Sequence, residues 1–233
     1  MTFIFPPFFK HFTQPRLWLR LLAARARTRY GDFSGEMMAR LASIPPAGFR
    51  PQLRLDKKAL VPAARAAHRA LSDALARGDL TALRRVAMPP LFSSLAARVQ
   101  RRPRRRRLEW QLVRYTAPAR LLQHSIERMP VDSSGTSVLV TRQAIVAVAS
   151  RQRLVEYDDA DGGAVVSEKE VDLTENVIIM AFVDPHTYKT GEWKVWGFGD
   201  ELKLKDYEKA QEVMVQLRDA QVAKQRQKLR SAS

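Results

Sequence analysis

Six arginines fill the seven positions from Arg101 to Arg107, interrupted only by Pro103. A guanidinium is planar, stays charged at physiological pH and pairs with phosphate through two parallel N–H bonds. At this density the side chains repel one another until an anion neutralises them. On nucleic acid the released counterions favour the exchange, and log affinity then falls with log salt by about 0.9 per phosphate contacted on duplex DNA. Arg101, Arg102, Arg104, Arg105, Arg106 and Arg107 therefore read as a phosphate-binding edge that Arg84, Arg85, Arg98 and Arg114 extend, with RNA favoured over lipid headgroups. The plain alternative is a solvated turn or a nuclear-localisation-like tract.

Other chemistries are poorly supplied. There is no cysteine, so disulfides, thiolate catalysis, cysteine zinc sites and iron–sulfur clusters are excluded. His11, His68, His124 and His186 are scattered without metal-ligand spacing and read as structural or surface residues. Asp158-Asp159-Ala160-Asp161-Gly162 superficially suggests a calcium loop. An EF-hand, however, needs an acid where Tyr157 stands, and most ligands between it and Glu168 are missing. No phosphate-cradling Gly-rich loop followed by Lys-Ser/Thr, no H-E-x-x-H and no G-x-S-x-G occurs. Trp110, Trp193, Trp196 and Phe198 could stack on bases, but their two-residue spacing reads as sheet core. The expectation is no catalytic residue, no metal, no cofactor and no small-molecule substrate.

The 233 residues are 45% apolar and 27% charged, which suits a folded chain, and the formal charge is +16. Residues 1–54 carry +7 and residues 55–125 carry +12, while residues 126–233 carry −3. A molecule polarised in this way turns its basic part towards a polyanion, either nucleic acid or an anionic bilayer. No run approaches the roughly 18 consecutive apolar residues of a membrane-spanning helix.

Residues 1–31 hold six basic side chains and no acid, the composition of a mitochondrial targeting segment, with removal or retention both open. The pattern from Arg16 to Tyr30 suits a partly amphipathic helix. Arg16, Leu17, Trp18, Arg20, Leu21, Arg25, Arg27 and Arg29 form a second candidate site, an arm for membrane or RNA.

Residues 43–56 read as a linker, so the spacing predicts a basic extension over 1–56. A helix fits Lys57 to Arg77, ending at Gly78, and Asp79 caps the next helix. Pro89-Pro90 breaks that helix, which resumes as LFSSLAARV. Alternation then marks strands at 108–113, 119–128, 137–155, 171–183 and 193–198, with Asp132–Gly135 a turn and Tyr157 to Glu170 an acidic loop. Leu204 to Arg230 reads as a polar C-terminal helix. Helices first and an antiparallel sheet second predict an α+β fold, with a core domain over 57–202 and a helical tail over 203–233.

The run AHRALSDALARGDLTALRRV, then a helix, an Arg-rich turn and LEWQLVRY, resembles the lipid-binding domain of the peripheral subunit that anchors the mitochondrial import motor. The closing GEWKVWGF is similar to that family's last strand. Its relatives include the inner-membrane ribosome receptor and a protein of the mitochondrial large ribosomal subunit. The resemblance covers residues 57–200. It implies a cone-like α+β domain with helices packed on a curved sheet, attached peripherally to the matrix face of the inner membrane. For the ribosomal branch it implies a place near the polypeptide exit, with rRNA, neighbouring large-subunit proteins, anionic inner-membrane lipids and the insertion machinery as partners. The density of Arg101–Arg107 favours that branch.

Two other functions remain open at this level. One is an import or insertion accessory that never touches RNA. The other is an isomerase- or dehydratase-like enzyme with an apolar pocket, for which His124 paired with Glu127 or Asp172 supplies the only candidates. A sheet interior filled by Trp110, Val146 and Ile179 would close such a pocket.

Overall fold

The structure is a computed structural model that describes residues 4–6, 14–46, 48–103, 105–130 and 138–201, together with 207, 209, 212, 213 and 216. The chain divides into two units, Arg29–Gly199 and a second made of Met1–Thr28 with Asp200–Ser233. Arg104, the 132–135 turn and most of the C-terminal helix expected at 204–230 lie outside the described residues. In the smaller unit, Ile4 and Tyr207 are almost wholly buried, and the Phe5 and Tyr207 rings lie 5.6 Å apart.

The larger unit is an α+β fold in which helices cover one face of a curved, open antiparallel sheet of five strands. Helix α1 (Pro15–Ala42) passes from the smaller unit into this one; α2 (Leu60–Arg77), α3 (Leu80–Val86) and α4 (Pro89–Gln100) follow. The strands are β1 (Arg106–Tyr115), β2 (Arg120–Pro130), β3 (Val138–Asp158), β4 (Ala164–Val183) and β5 (Lys194–Gly199). The long strand β3 organises the sheet. Along one edge it pairs first with β2 and then with β1; β4 occupies its other edge, and β5 pairs with β4.

The helix ends follow from local chemistry. Gly78 takes the left-handed conformation (φ 70°) that closes α2, a geometry that penalises any residue with a Cβ. Asp79 accepts backbone N–H bonds from Thr81 (2.9 Å) and Ala82 (3.0 Å), satisfying two donors at the start of α3. Pro89 and Pro90 then sit in the first turn of α4, where proline's missing donor costs nothing.

The apolar stripe of α2, made of Leu60, Ala64, Ala67, Leu71 and Ala74, packs with Leu83 and Leu95 on Ala144, Val146 and Val148 of β3, Val177 and Ile179 of β4, and Val195 of β5. Each buried Leu, Ile or Val contributes about 1.5–3 kcal/mol. Val146 and Ile179 have no exposure at all beneath α2, whereas Trp110 is half-buried and borders an open groove.

Two elements differ from the sequence pattern. Helix α1 continues twelve residues beyond Tyr30, to Ala42, despite Gly31 and Gly35. Its second half is held by tertiary contacts: Ala39 is buried with Leu53, Ile126 and Val183, and Gly35 comes so close to the Ile126 carbonyl that an added Cβ would sit 3.2 Å from it. The acidic stretch after Tyr157 is a strand from Ala164 onward instead of a loop, and its acids face basic partners on β3. Arg151 binds Asp172 at 2.7 Å and Arg153 binds Glu168 at 2.7 Å. The turn between the strands is made by Asp158, whose side chain accepts from the Ala160 N–H at 3.0 Å, and by Gly162 and Gly163, both at positive φ.

Candidate nucleic-acid interface

The arginine tract joins the end of α4 to the start of β1, beside the tip of the β3/β4 hairpin. Its members are not equivalent. Arg101 and Arg105 are exposed and have no side-chain partner among the described residues. Arg102 is half-buried, and its guanidinium donates to the Ala76 carbonyl at 2.9 Å, satisfying an otherwise open acceptor at the end of α2. Burial, and then the charge of Arg98, lower its pKa from the usual arginine value, yet it remains a cation. Arg106 pairs with Glu156 at 2.5 Å. Arg107 lies 3.5 Å from Asp159 and 4.3 Å above the Tyr157 ring. Exposed ion pairs of this kind contribute little stability. Because such pairs are weak, the two non-bridging oxygens of a phosphodiester can take the place of the carboxylates.

Of the proposed extensions, Arg84, Arg85, Arg98 and Arg114 are all exposed. Arg84 lies 5.0 Å from the Phe92 ring centre. Beneath the tract a groove of about 690 Å³ opens between the C-terminal ends of α2 and α4 and the first half of β1. Among its lining residues, Arg77 was not singled out from the sequence, and Trp110, considered there for base stacking, was read as sheet core. Trp110 is half-buried, so its two-residue spacing, the only available signal, described its strand but not its exposed part.

The second candidate site falls on α1. Arg16, Arg20, Arg27 and Arg29 are exposed, while Leu17, Trp18, Leu21 and Arg25 are half-buried. Beyond them, in the larger unit, Tyr30, Phe33, Met37 and Leu41 recur at three- and four-residue steps, and each is between 43% and 74% exposed. This stripe has helical period in the sequence, but Gly31 and Gly35 disguise it.

Between α1 and the sheet lies a buried polar node. The Nδ1–H of His124 donates to Glu36 Oε1 at 2.6 Å, and the Arg142 guanidinium donates to His124 Nε2 at 3.3–3.4 Å and to Thr190 Oγ1 at 2.7 Å. Lys57 Nζ reaches the same Glu36 oxygen at 2.8 Å. Burial and the neighbouring Arg142 charge push the His124 pKa below its usual value, against the pull of Glu36. Burial would raise the Glu36 carboxyl, but hydrogen bonds from Lys57 and His124 outweigh it and hold the group below the ordinary range. A neutral imidazole between a carboxylate and a guanidinium ties α1 to β2 and β3.

The pairings considered for an acid–base site do not form. Asp172 is held by Arg151 opposite it, seven positions along β3 from the residue opposite His124, or about 23 Å at ~3.3 Å per residue. Glu127, three positions from His124 on β2, points to the other face of the sheet. A second histidine, His68, is fully buried and meets Glu175 at 2.9 Å, which in turn accepts from Gln152 at 2.7 Å. Among the described residues no group of three or more His, Asp or Glu side chains could hold a metal ion.

No family model matches the chain, and no curated protein matches it either. Among solved structures it is similar to the crystal structure of the intermembrane space region of chloroplast protein ARC6, at 12% identity and a TM-score of 0.34, over 64% of this chain and 99% of that one.

Proposed function

We propose that this chain is a non-catalytic adaptor, a structural component of the mitochondrial ribosomal large subunit that binds rRNA through its arginine edge and helps tether the ribosome to the inner membrane near the polypeptide exit. The sequence resemblance supplies the compartment and the assembly. The observation that carries the reading is the arrangement of charge and apolar surface about β3. The arginine edge meets this strand opposite Tyr157, whereas α1 is anchored opposite Ala144. Those positions are 13 residues apart on one strand, about 40 Å at ~3.3 Å per residue. Strand β3 thus runs from a phosphate-seeking edge to the strand pairs beneath α1, whose apolar stripe Arg29 and Arg40 flank.

The partners in this reading are rRNA, neighbouring large-subunit proteins, anionic lipids and the insertion machinery. Basic residues near an anionic bilayer contribute about 1 kcal/mol each. Tyr30, Phe33, Met37 and Leu41 add apolar burial at the interface. That stripe is also what favours the second reading, a peripheral inner-membrane protein of the import or insertion machinery without rRNA contact.

Sedimentation separates the two. In the R101S/R105S/R106S/R107S variant, which spares the structural Arg102, co-migration with large subunits is expected to be lost in moderate salt, with the thermal midpoint nearly unchanged. Full co-migration of that variant would refute the rRNA role. Binding of the native chain to anionic vesicles but not to ribosomes would select the second reading.

A further inference from the structure

We infer that the groove beneath the arginine tract is a nucleotide pocket, which takes one unpaired base of a looped or bulged RNA while the rim holds its phosphates. This rests on the arginine edge being an RNA contact, and it adds that the contact is with an unstacked nucleotide instead of a duplex backbone. The volume of about 690 Å³ falls within the roughly 300–1,000 Å³ range of small-ligand sites. Arg77, Arg106 and Arg107 line it beside Arg102. The two lining carboxylates are already engaged, Asp73 by Arg77 at 2.6 Å and Glu109 by the Tyr157 hydroxyl at 3.1 Å. With four lining arginines (Arg77, Arg102, Arg106 and Arg107) against two carboxylates, the lining is net positive.

Leu108 and Trp110 supply the apolar part. The indole N–H of Trp110 donates to Gln152 Oε1 at 2.8 Å, and the His68 ring meets the indole edge-on at a centroid distance of 6.3 Å. The ring is therefore fixed before any ligand arrives, and stacking a base near it costs no side-chain ordering. A duplex presents its bases already stacked and paired, so it reaches only the outer guanidinium groups. An unpaired base can enter and stack, which strengthens binding by about tenfold or more and tolerates any base because each has a π-face.

The experiment compares the full chain binding to a blunt RNA duplex and to the same duplex with one unpaired purine bulge, by fluorescence anisotropy at physiological salt. The bulged RNA is expected to bind about tenfold more tightly. Trp110→Leu should bring the ratio to one, and Trp110→Phe should retain most of it. A photoreactive base at the bulge should crosslink to the Leu108–Trp110 stretch, a readout that needs no variant to fold. Equal affinity for the two RNAs, or crosslinks only elsewhere, overturns the pocket while leaving the arginine edge an RNA contact. Failure to bind either RNA removes both ideas. Competition by polyglutamate of matched charge, as effective as the bulged RNA, makes the groove an acidic-peptide site and also overturns the proposal.

Discussion

Between Val140 and Ala149, strand β3 lies in the core, with Ala144, Ile145, Val146 and Val148 wholly buried, whereas from Ser150 to Asp158 the same strand enters a three-stranded ribbon with β1 and β4. In that ribbon Leu154, Val171 and Leu173 are 40–44% exposed, and the opposite face is laced by Arg151–Asp172 and Arg153–Glu168 pairs. One half of the hairpin is held by apolar burial and the other by backbone pairing with charge complementarity. The exposed arginines of the proposed interface lie at the ribbon half, so they can be altered without touching the apolar core beneath α2.

Breaking the core half should give the largest effect. Ile179→Ala removes a fully buried side chain beneath α2 and should cost about 2–5 kcal/mol in denaturant unfolding. Leu173→Ala on the same strand should cost well under half as much, and equal losses would erase the distinction.

Next comes the node behind α1. His124 titrates below its usual value near 6.5 because burial and Arg142 disfavour the cation, and Glu36 titrates below the normal carboxylate range. As pH falls below about 6.5, the unfolded chain takes up the histidine proton before the folded one does, so stability present at neutral pH is lost on acidification. The thermal midpoint should therefore drop from pH 7 towards pH 5, and His124→Gln should flatten that slope. A midpoint that rises on acidification would contradict the assignment.

At the hairpin tip, Gly162→Ala forces a Cβ into a φ of 63° with open space around it, so the cost is backbone strain alone, about 1 kcal/mol. The smallest effect belongs to the ribbon's ion pairs. Swapping Arg153 and Glu168 should leave the midpoint almost unchanged. Whatever coupling a double-mutant cycle detects should fade in high salt, because exposed charges are screened. A large, salt-resistant coupling would mean that the ribbon is stabilised as the core is.

The contrast also explains which parts were legible from the residues alone. Gly78, Asp79 and Pro89-Pro90 act through their nearest neighbours, so their roles as stop, cap and restart were readable directly. The α+β class followed from the switch of period after Gln100. The stretch after Tyr157 was misread because Glu168, Glu170 and Asp172 look like a solvated acidic loop until Arg151 and Arg153 stand opposite them. The node was invisible for the same reason, since Glu36 and His124 are 88 residues apart. Within the arginine tract, composition could not distinguish Arg102, committed to the Ala76 carbonyl, from Arg101 and Arg105, which face solvent.

Strand β3 also has a bearing on how the polypeptide is made. Helix α2 first meets α3, α4 and β1, but its seat on the sheet begins only with Ala144, Val146 and Val148 and is complete only with Ile179 and Val195. During vectorial synthesis, then, most of the chain emerges with its greasy face unsheltered, and cooperative collapse waits for the last strand. Fragments ending before Lys194 should remain dependent on a holding chaperone.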